Sequence, residues 1–250
     1  MPQDIKPNPL ALITGGARRI GRAIALDLAR KGFDIAIHYH KSQKEADEAV
    51  DLIKNLGRRA ISLSCNLSAP SDLATLLPRC CSALGSPTCL INNASEFMHD
   101  TLETMTEQRW NTHFDINLRA PVFLAQAFPH HLPQGAEGNI INIIDQRVWK
   151  LTPDFFSYTL SKAGLWTATQ TLAQALAPLI RVNAIGPGPV LKNVHQSEGD
   201  FAKEVQSTLL KRGPSPEEIA NAVFFILNSN SITGQMIALD GGQHLVWDGN

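Results

Sequence analysis

Apolar residues along this chain alternate between two rhythms. Short β-rich runs at 10–14, 33–39, 60–64, 89–92, 139–144, 180–185 and 236–239 predict strands. Longer stretches at helical spacing predict helices over 20–31, 44–56, 71–84, 111–128, 158–177 and 216–227. Gly32 and Gly57 follow the first two helices, where a residue free to turn left-handed stops the helix. One segment breaks the rhythm. Residues 186–213 mix proline, glycine and charge with weak periodicity, which predicts a long lid or mobile loop.

Strand, helix and strand repeated in this way give an α/β fold with a parallel sheet. Right-handed crossovers place helices on both faces and make the sheet doubly wound, of Rossmann type. No linker, composition shift or internal repeat divides the chain, so 1–250 reads as a single domain. A length of 250 residues with 44% hydrophobic content supplies one large core. The net charge of −1, with no long run of one sign, argues against a nucleic-acid partner. The longest apolar stretches, such as 222–227, are far too short for a bilayer. The polar start over 1–9 lacks the apolar run of a secretory signal. Cys65, Cys80, Cys81 and Cys89 have neither zinc nor CxxC spacing, and the expectation is reduced thiols in the cytoplasm. The eight histidines show no HExxH spacing, so no metal is expected.

The first strand runs into Thr14-Gly15-Gly16-Ala17-Arg18-Arg19-Ile20-Gly21 and then a helix. Gly15 permits a sharp turn, and Gly21 lets the helix approach the strand. The helix start then offers free N–H groups to a pyrophosphate. Arg18 and Arg19 add charge-assisted donors at that place. The second strand is followed by His40, Lys41 and Ser42, with no acid between Ile35 and Lys44. A site that prefers NAD places an acid about 20 residues past the glycines. Positive charge and donors here favour the 2′-phosphate of NADPH instead.

Tyr158 and Lys162 lie at i, i+4, on one face of the predicted helix. Lys162 is placed to hold a ribose and to lower the Tyr158 pKa by its charge. Tyr158 would then pass a proton as a hydride moves. Asn92-Asn93-Ala94-Ser95 follows strand four, Asn117 lies in the long helix, and Pro187-Gly188 follows strand six.

With the glycine turn and the Tyr158–Lys162 pair, these motifs resemble the short-chain dehydrogenases/reductases in order and place, over nearly the whole chain. The resemblance implies that Asn117 helps fix Lys162 through water and that Asn93-Ala94 lies against the cofactor. Asn66-Leu67 stands where that family usually has Asp at the adenine. The Asn66 carbonyl keeps an acceptor there. Arg19 replaces the family's middle glycine. The largest departure is Asp145, thirteen positions before Tyr158, where the family carries a serine. A carboxyl group accepts when ionised and donates only when protonated. Such a group suits an amino-bearing heterocycle or a ring nitrogen better than a ketone oxygen.

The sequence is similar, more narrowly, to the pteridine reductases and related dihydromonapterin reductases. The residues are Arg18-Arg19, His38-Tyr39-His40-Lys41-Ser42, Asn92-Asn93-Ala94-Ser95-Glu96-Phe97, Asp145 with Tyr158 and Lys162, and Pro187-Gly188-Pro189. That resemblance implies a pterin stacked between nicotinamide and Phe97, with Arg19 reaching pterin and phosphate and Ser95 touching cofactor. Asp145, Tyr158 and Lys162 would reduce a ring C=N bond. It implies a homotetramer acting on a small molecule. Two other readings stand beside it: a carbonyl reductase such as a 3-oxoacyl-thioester reductase, and a cofactor-binding sensor without turnover. Serine is missing for the first, and an intact Tyr158, Lys162 and Asn117 argues against the second.

Overall fold

A computed structural model describes residues 8–193 and 196–247. All seven expected strands form: β1 (Leu10–Ile13), β2 (Asp34–Tyr39), β3 (Ala60–Ser64), β4 (Cys89–Asn92), β5 (Gly138–Ile143), β6 (Ile180–Pro187) and β7 (Met236–Leu239). They make one sheet in the order β3-β2-β1-β4-β5-β6-β7. Every pairing is parallel. Successive strand side chains point to opposite faces, and the two cores divide accordingly. Ala11, Ile13, Ile35 and Ile37 pack with Ile24 and Leu28 of α1 (Arg19–Arg30), Ile53 of α2 (Gln43–Asn55) and Val223 of a late helix. Leu10, Leu12, Leu63, Leu90 and Val182 pack on the other face.

That other face is covered by α3 (Pro70–Leu73), α4 (Leu76–Leu84), α5 (Glu107–Phe114), α6 (Ala120–His131) and α7 (Phe156–Leu176). The helix expected over 71–84 is thus two. Pro78 has no N–H for the carbonyl of Ala74, and its ring crowds that carbonyl, so no single helix runs through. The long helix expected from 111 begins earlier, where Thr106 accepts from the Arg109 N–H. It is interrupted by a π-helical turn over Asp115–Arg119, with Asn117 inside it.

The long loop expected over 186–213 is corrected by the structure. β6 extends through Pro187, and α8 (Glu198–Gln206) forms beyond it. Ser197 caps α8 by accepting from the Asp200 N–H. No residue of α8 is fully buried, and its apolar face is short, with Phe201 and Val205 half-buried at i, i+4. The last helix, α9 (Pro216–Leu227), starts on a capping box between Ser215 and Glu218. Arg181 of β6 donates to the carbonyls of Ile226, Leu227 and Ile232, satisfying the far end of α9. Among the described residues no helix is long and apolar enough to cross a membrane, and no cluster could hold a metal ion. Cys65, Cys80 and Cys89 are buried free thiols, each pushed up by burial to about 12.

Candidate active site

Strand order reverses between β1 and β4, and at such a point open α/β sheets hold a ligand crevice at the carboxyl ends of the strands. Thr14 ties the two strands. Its hydroxyl oxygen accepts from the N–H groups of Asn93 and Ala94 at 2.9 and 3.0 Å. The Asn93 amide donates back to the carbonyls of Thr14 and Gly15 at 2.9 and 3.1 Å. Gly15 holds a left-handed φ of +62° that a side chain rarely adopts. A Cβ on Gly21 would come within 2.3 Å of the Gly15 carbonyl oxygen and 2.6 Å of the Asn93 amide. The turn therefore closes only around glycine at this position. His38 supports it from β2: its Nδ1 accepts from the Gly15 N–H at 3.0 Å, which leaves Nε2 to donate to the Cys65 carbonyl at 3.0 Å. Burial lowers the His38 pKa to about 4, so the ring is neutral and its tautomer is set.

Arg18 is the N-cap of α1 and makes no side-chain capping bond, and the first turn holds no acid. The free N–H groups at that end, including that of Ile20 in the first turn, fit an anion such as a dinucleotide pyrophosphate. Arg18 lies 3.8 Å from Glu45. His40 and Lys41 are exposed and Ser42 half-buried, at the end of β2. Leu67 is buried, and the Asn66 side-chain oxygen accepts from the Ser68 N–H at 3.0 Å. Across the crevice, the Gly188 N–H donates to Leu239, and a Cβ there would meet Asp240 at 2.7 Å. Pro187 ends β6 beside it. Arg19 spans the two walls. It donates to the carbonyls of Leu191 and Lys192, both at 2.9 Å.

Asp145, half-buried, follows β5, and Tyr158 and Lys162, both buried, lie in the first turns of α7. The Tyr158 hydroxyl donates to Asp145 Oδ2 at 2.8 Å. Asp145 Oδ1 accepts from the Arg147 N–H at 2.8 Å. Lys162 Nζ donates to the Ile143 carbonyl at 2.9 Å. The sequence predicts a lowered Tyr158 pKa, and the structure reverses this. Burial, then the Asp145 charge and its hydrogen bond, push the phenol well above its usual value. Burial also raises Asp145, which favours its neutral form, and lowers Lys162 to about 8. The hydrogen bond leaves the shared proton on the phenol, with the carboxyl group as its acceptor.

Asn117 is fully buried. Its oxygen accepts from the Ser95 hydroxyl and the Glu96 N–H, and its amide donates to the Glu96 carbonyl and Ser161. This fixes the segment 95–97, in the loop after β4, beside Tyr158. Phe97 sits edge-on to Tyr158, with ring centroids 4.6 Å apart. The Phe97 ring also makes a parallel stack on Phe155 at 4.4 Å. Phe155 holds a left-handed φ of 56° just before α7, and the Arg147 guanidinium lies 4.8 Å from its ring centroid.

Sequence reasoning missed Phe155 and Arg147. It also missed a buried chain behind Tyr158. His113 Nε2 accepts from the Met98 N–H, leaving Nδ1 to donate to the Ser157 hydroxyl at 2.7 Å. Ser157 in turn donates to Asp100. These contacts span 44 and 57 residues, and only the Asp-Ser-His residue types could have signalled them.

A phosphate-ready turn, a buried Tyr–Lys pair and a crevice at the strand ends define a nucleotide-dependent oxidoreductase. A family model described as enoyl-(acyl carrier protein) reductase matches residues 15–244. The chain is 32% identical over 243 residues to the 3-oxoacyl-(acyl-carrier-protein) reductase FabG of Staphylococcus epidermidis, covering 95% of this chain and 100% of that one. It is 47% identical to the FolM alternative dihydrofolate reductase 1 of Brucella canis, solved in complex with NADP, with a TM-score of 0.93 and 96% of each chain covered. The angucycline C-6 ketoreductase LanV with bound NADP is 28% identical, with a TM-score of 0.88, covering 95% of this chain and 96% of that one. This protein belongs to the short-chain dehydrogenase/reductase family. It is an oxidoreductase of that family, and its crevice fits NADP.

Proposed function

We propose that this protein is an NADPH-dependent reductase of a pterin ring C=N bond. The carrying observation is the Tyr158–Asp145 hydrogen bond of 2.8 Å, at a position where a serine hydroxyl would serve a ketone. The similarity to the FolM dihydrofolate reductase supports the same reading. Gly15, Arg18, Ile20, Gly21, Asn66, Leu67, Asn93, Ala94, Ser95, Pro187 and Gly188 line the cofactor site in this proposal, with His40, Lys41 and Ser42 at the 2′-phosphate. Lys162 holds the nicotinamide ribose, and Asn117 braces the segment 95–97 beside it. Bound NADPH supplies the hydride to the ring carbon. Asp145 and Tyr158 hold one exchangeable proton between them and deliver it to the ring nitrogen, and solvent restores it. Phe97 offers the stacking face and Arg19 a charged wall. The family resemblance extends the proposal to a cytoplasmic homotetramer.

The identity to FabG favours a second reading, reduction of a 3-oxoacyl thioester. Asp145 opposes it, because its Oδ2 engages the Tyr158 hydroxyl that a ketone oxygen would need as donor. NADPH oxidation measured in parallel with dihydrobiopterin, dihydromonapterin and an acetoacetyl thioester separates the two. Turnover with a pterin and little with the thioester is expected. The reverse order removes the pterin reading.

A further inference from the structure

We infer that His113 is a positioning residue for the reaction, holding two parts of the site in register: the start of α7, which carries Tyr158, and the segment after β4, which carries Phe97. The Phe97 half rests on the pterin reading above; the Tyr158 half does not.

The start of α7 is capped from elsewhere in the chain. Its N-cap residue is Phe155, which makes no side-chain capping bond to the free N–H groups of the first turn. Asp100, in the loop after β4, supplies the acceptors. Its Oδ1 accepts from the Ser157 N–H at 3.1 Å, its Oδ2 from the Ser157 hydroxyl, and its carbonyl from the Phe156 N–H at 3.2 Å. Asp100, Ser157 and His113 are all fully buried. A carboxylate at a helix N-terminus is also favoured by the helix dipole.

With its proton given to Asp100, the Ser157 oxygen is left to accept, and His113 of α5 meets it. His113 Nδ1 lies 2.7 Å from that oxygen. Nε2 accepts from the Met98 N–H at 3.1 Å, one residue past Phe97. These two bonds allow one protonation state. Nδ1 carries the proton and Nε2 has none, because a protonated Nε2 would meet the Met98 N–H donor to donor. Burial lowers the His113 pKa from its usual 6.5; the Asp100 charge opposes this, and Arg109 and Lys162 add to it. The neutral ring stands behind the phenol, with the His113 and Tyr158 centroids 5.9 Å apart. Phe97 meets the same phenol ring at 4.6 Å. His113 therefore acts through Ser157 on the residue that carries the reacting hydroxyl, and through Met98 on the aromatic beside it.

The test separates the two bonds. His113→Gln brings an amide carbonyl to the reach of Nε2 and keeps the Met98 bond. His113→Asn brings an amide N–H to the reach of Nδ1 and keeps the Ser157 bond. kcat and KM are measured for dihydrobiopterin and an acetoacetyl thioester with the natural enzyme and both variants. His113→Gln is expected to lower kcat by about 10- to 100-fold, the scale of a reacting group displaced by up to about 1 Å, with the pterin KM near its natural value. His113→Asn is expected to keep kcat and raise the pterin KM by about 2- to 10-fold, the scale of one neutral hydrogen bond. Ser157→Ala should follow His113→Gln. Parallel losses in kcat and KM in both His113 variants, as a merely structural role gives, overturn the inference. Nitrogen NMR of isotope-labelled histidine reads the site without substrate: a proton on Nδ1 and none on Nε2 is expected, and the opposite tautomer overturns the inference. No pterin turnover by the natural enzyme removes the pterin reading and the Phe97 half with it. The kcat split is then read on the thioester and still decides the Tyr158 half.

Discussion

The Tyr158 hydroxyl donates to Asp145 Oδ2 at 2.8 Å, and this bond joins two groups that burial shifts upward. The phenol is held protonated by burial and by the Asp145 charge. Replacing Tyr158 with Phe keeps the ring against Phe97 and removes the bond. Single-turnover hydride transfer should slow by about 10²-fold or more, with NADPH affinity little changed. A near-native rate in Tyr158→Phe would show that the proton travels by another route.

Lys162 bears on stability as well as activity. Burial holds its pKa at about 8 instead of 10.5. While charged in the fold, it costs about 3 kcal/mol relative to the unfolded chain. The unfolded chain binds more protons between about 8 and 10.5, so the natural protein gains stability as pH rises through that window. Lys162→Met should lose activity yet match or exceed the natural protein in Tm at pH 7. Its advantage should shrink above pH about 8. Thermal melts of the ligand-free proteins at pH 7 and pH 9 check this; a lower Tm for the variant at pH 7 contradicts it.

The nucleotide turn predicts a different failure. Gly21→Ala puts a methyl group 2.3 Å from the Gly15 carbonyl oxygen. Overpacking of this kind costs about 1–3 kcal/mol. The turn must also open where the pyrophosphate would sit. Tm and NADPH affinity should fall together, the affinity by about 10-fold or more. Native cofactor binding in this variant, read by fluorescence titration, would place the phosphates elsewhere.

In the proposed reading, cofactor choice follows from charge at the end of β2. Lys41 and His40 are exposed there, with Ser42 beside them. Lys41→Asp should weaken NADPH by about 10-fold or more, the scale of a charged hydrogen bond, and leave NADH nearly unaffected. An equal kcat/KM for NADH and NADPH in the natural enzyme removes this argument.

Much of this architecture was legible in the sequence because strands and helices of an α/β sheet bury continuous apolar faces. β3, β4, β7 and α9 fall at the expected residues. The departures have local causes. Pro78 divides one helix, and the π-helical turn at Asn117 interrupts another while keeping its direction. α8 was hidden because its apolar face is short and only half-buried, although Ser197 with Glu198 and Asp200 gives a readable start. In the site, fixed spacing exposed Tyr158, Lys162 and Asp145. Phe155 and Arg147 had no such spacing. Their stack depends on one left-handed residue and on the turn after β5, neither of which periodicity encodes.

Asp145 carries the central claim, and one comparison tests it most directly. kcat/KM is measured for a dihydropterin and for a simple ketone on the natural protein and on Asp145→Ser. The account predicts pterin reduction by the natural enzyme and its loss, by about 10²-fold or more, in Asp145→Ser. NADPH binding should survive, and weak ketone activity should emerge with the restored hydroxyl. An Asp145→Ser enzyme that reduces the pterin as well as its parent would contradict the account.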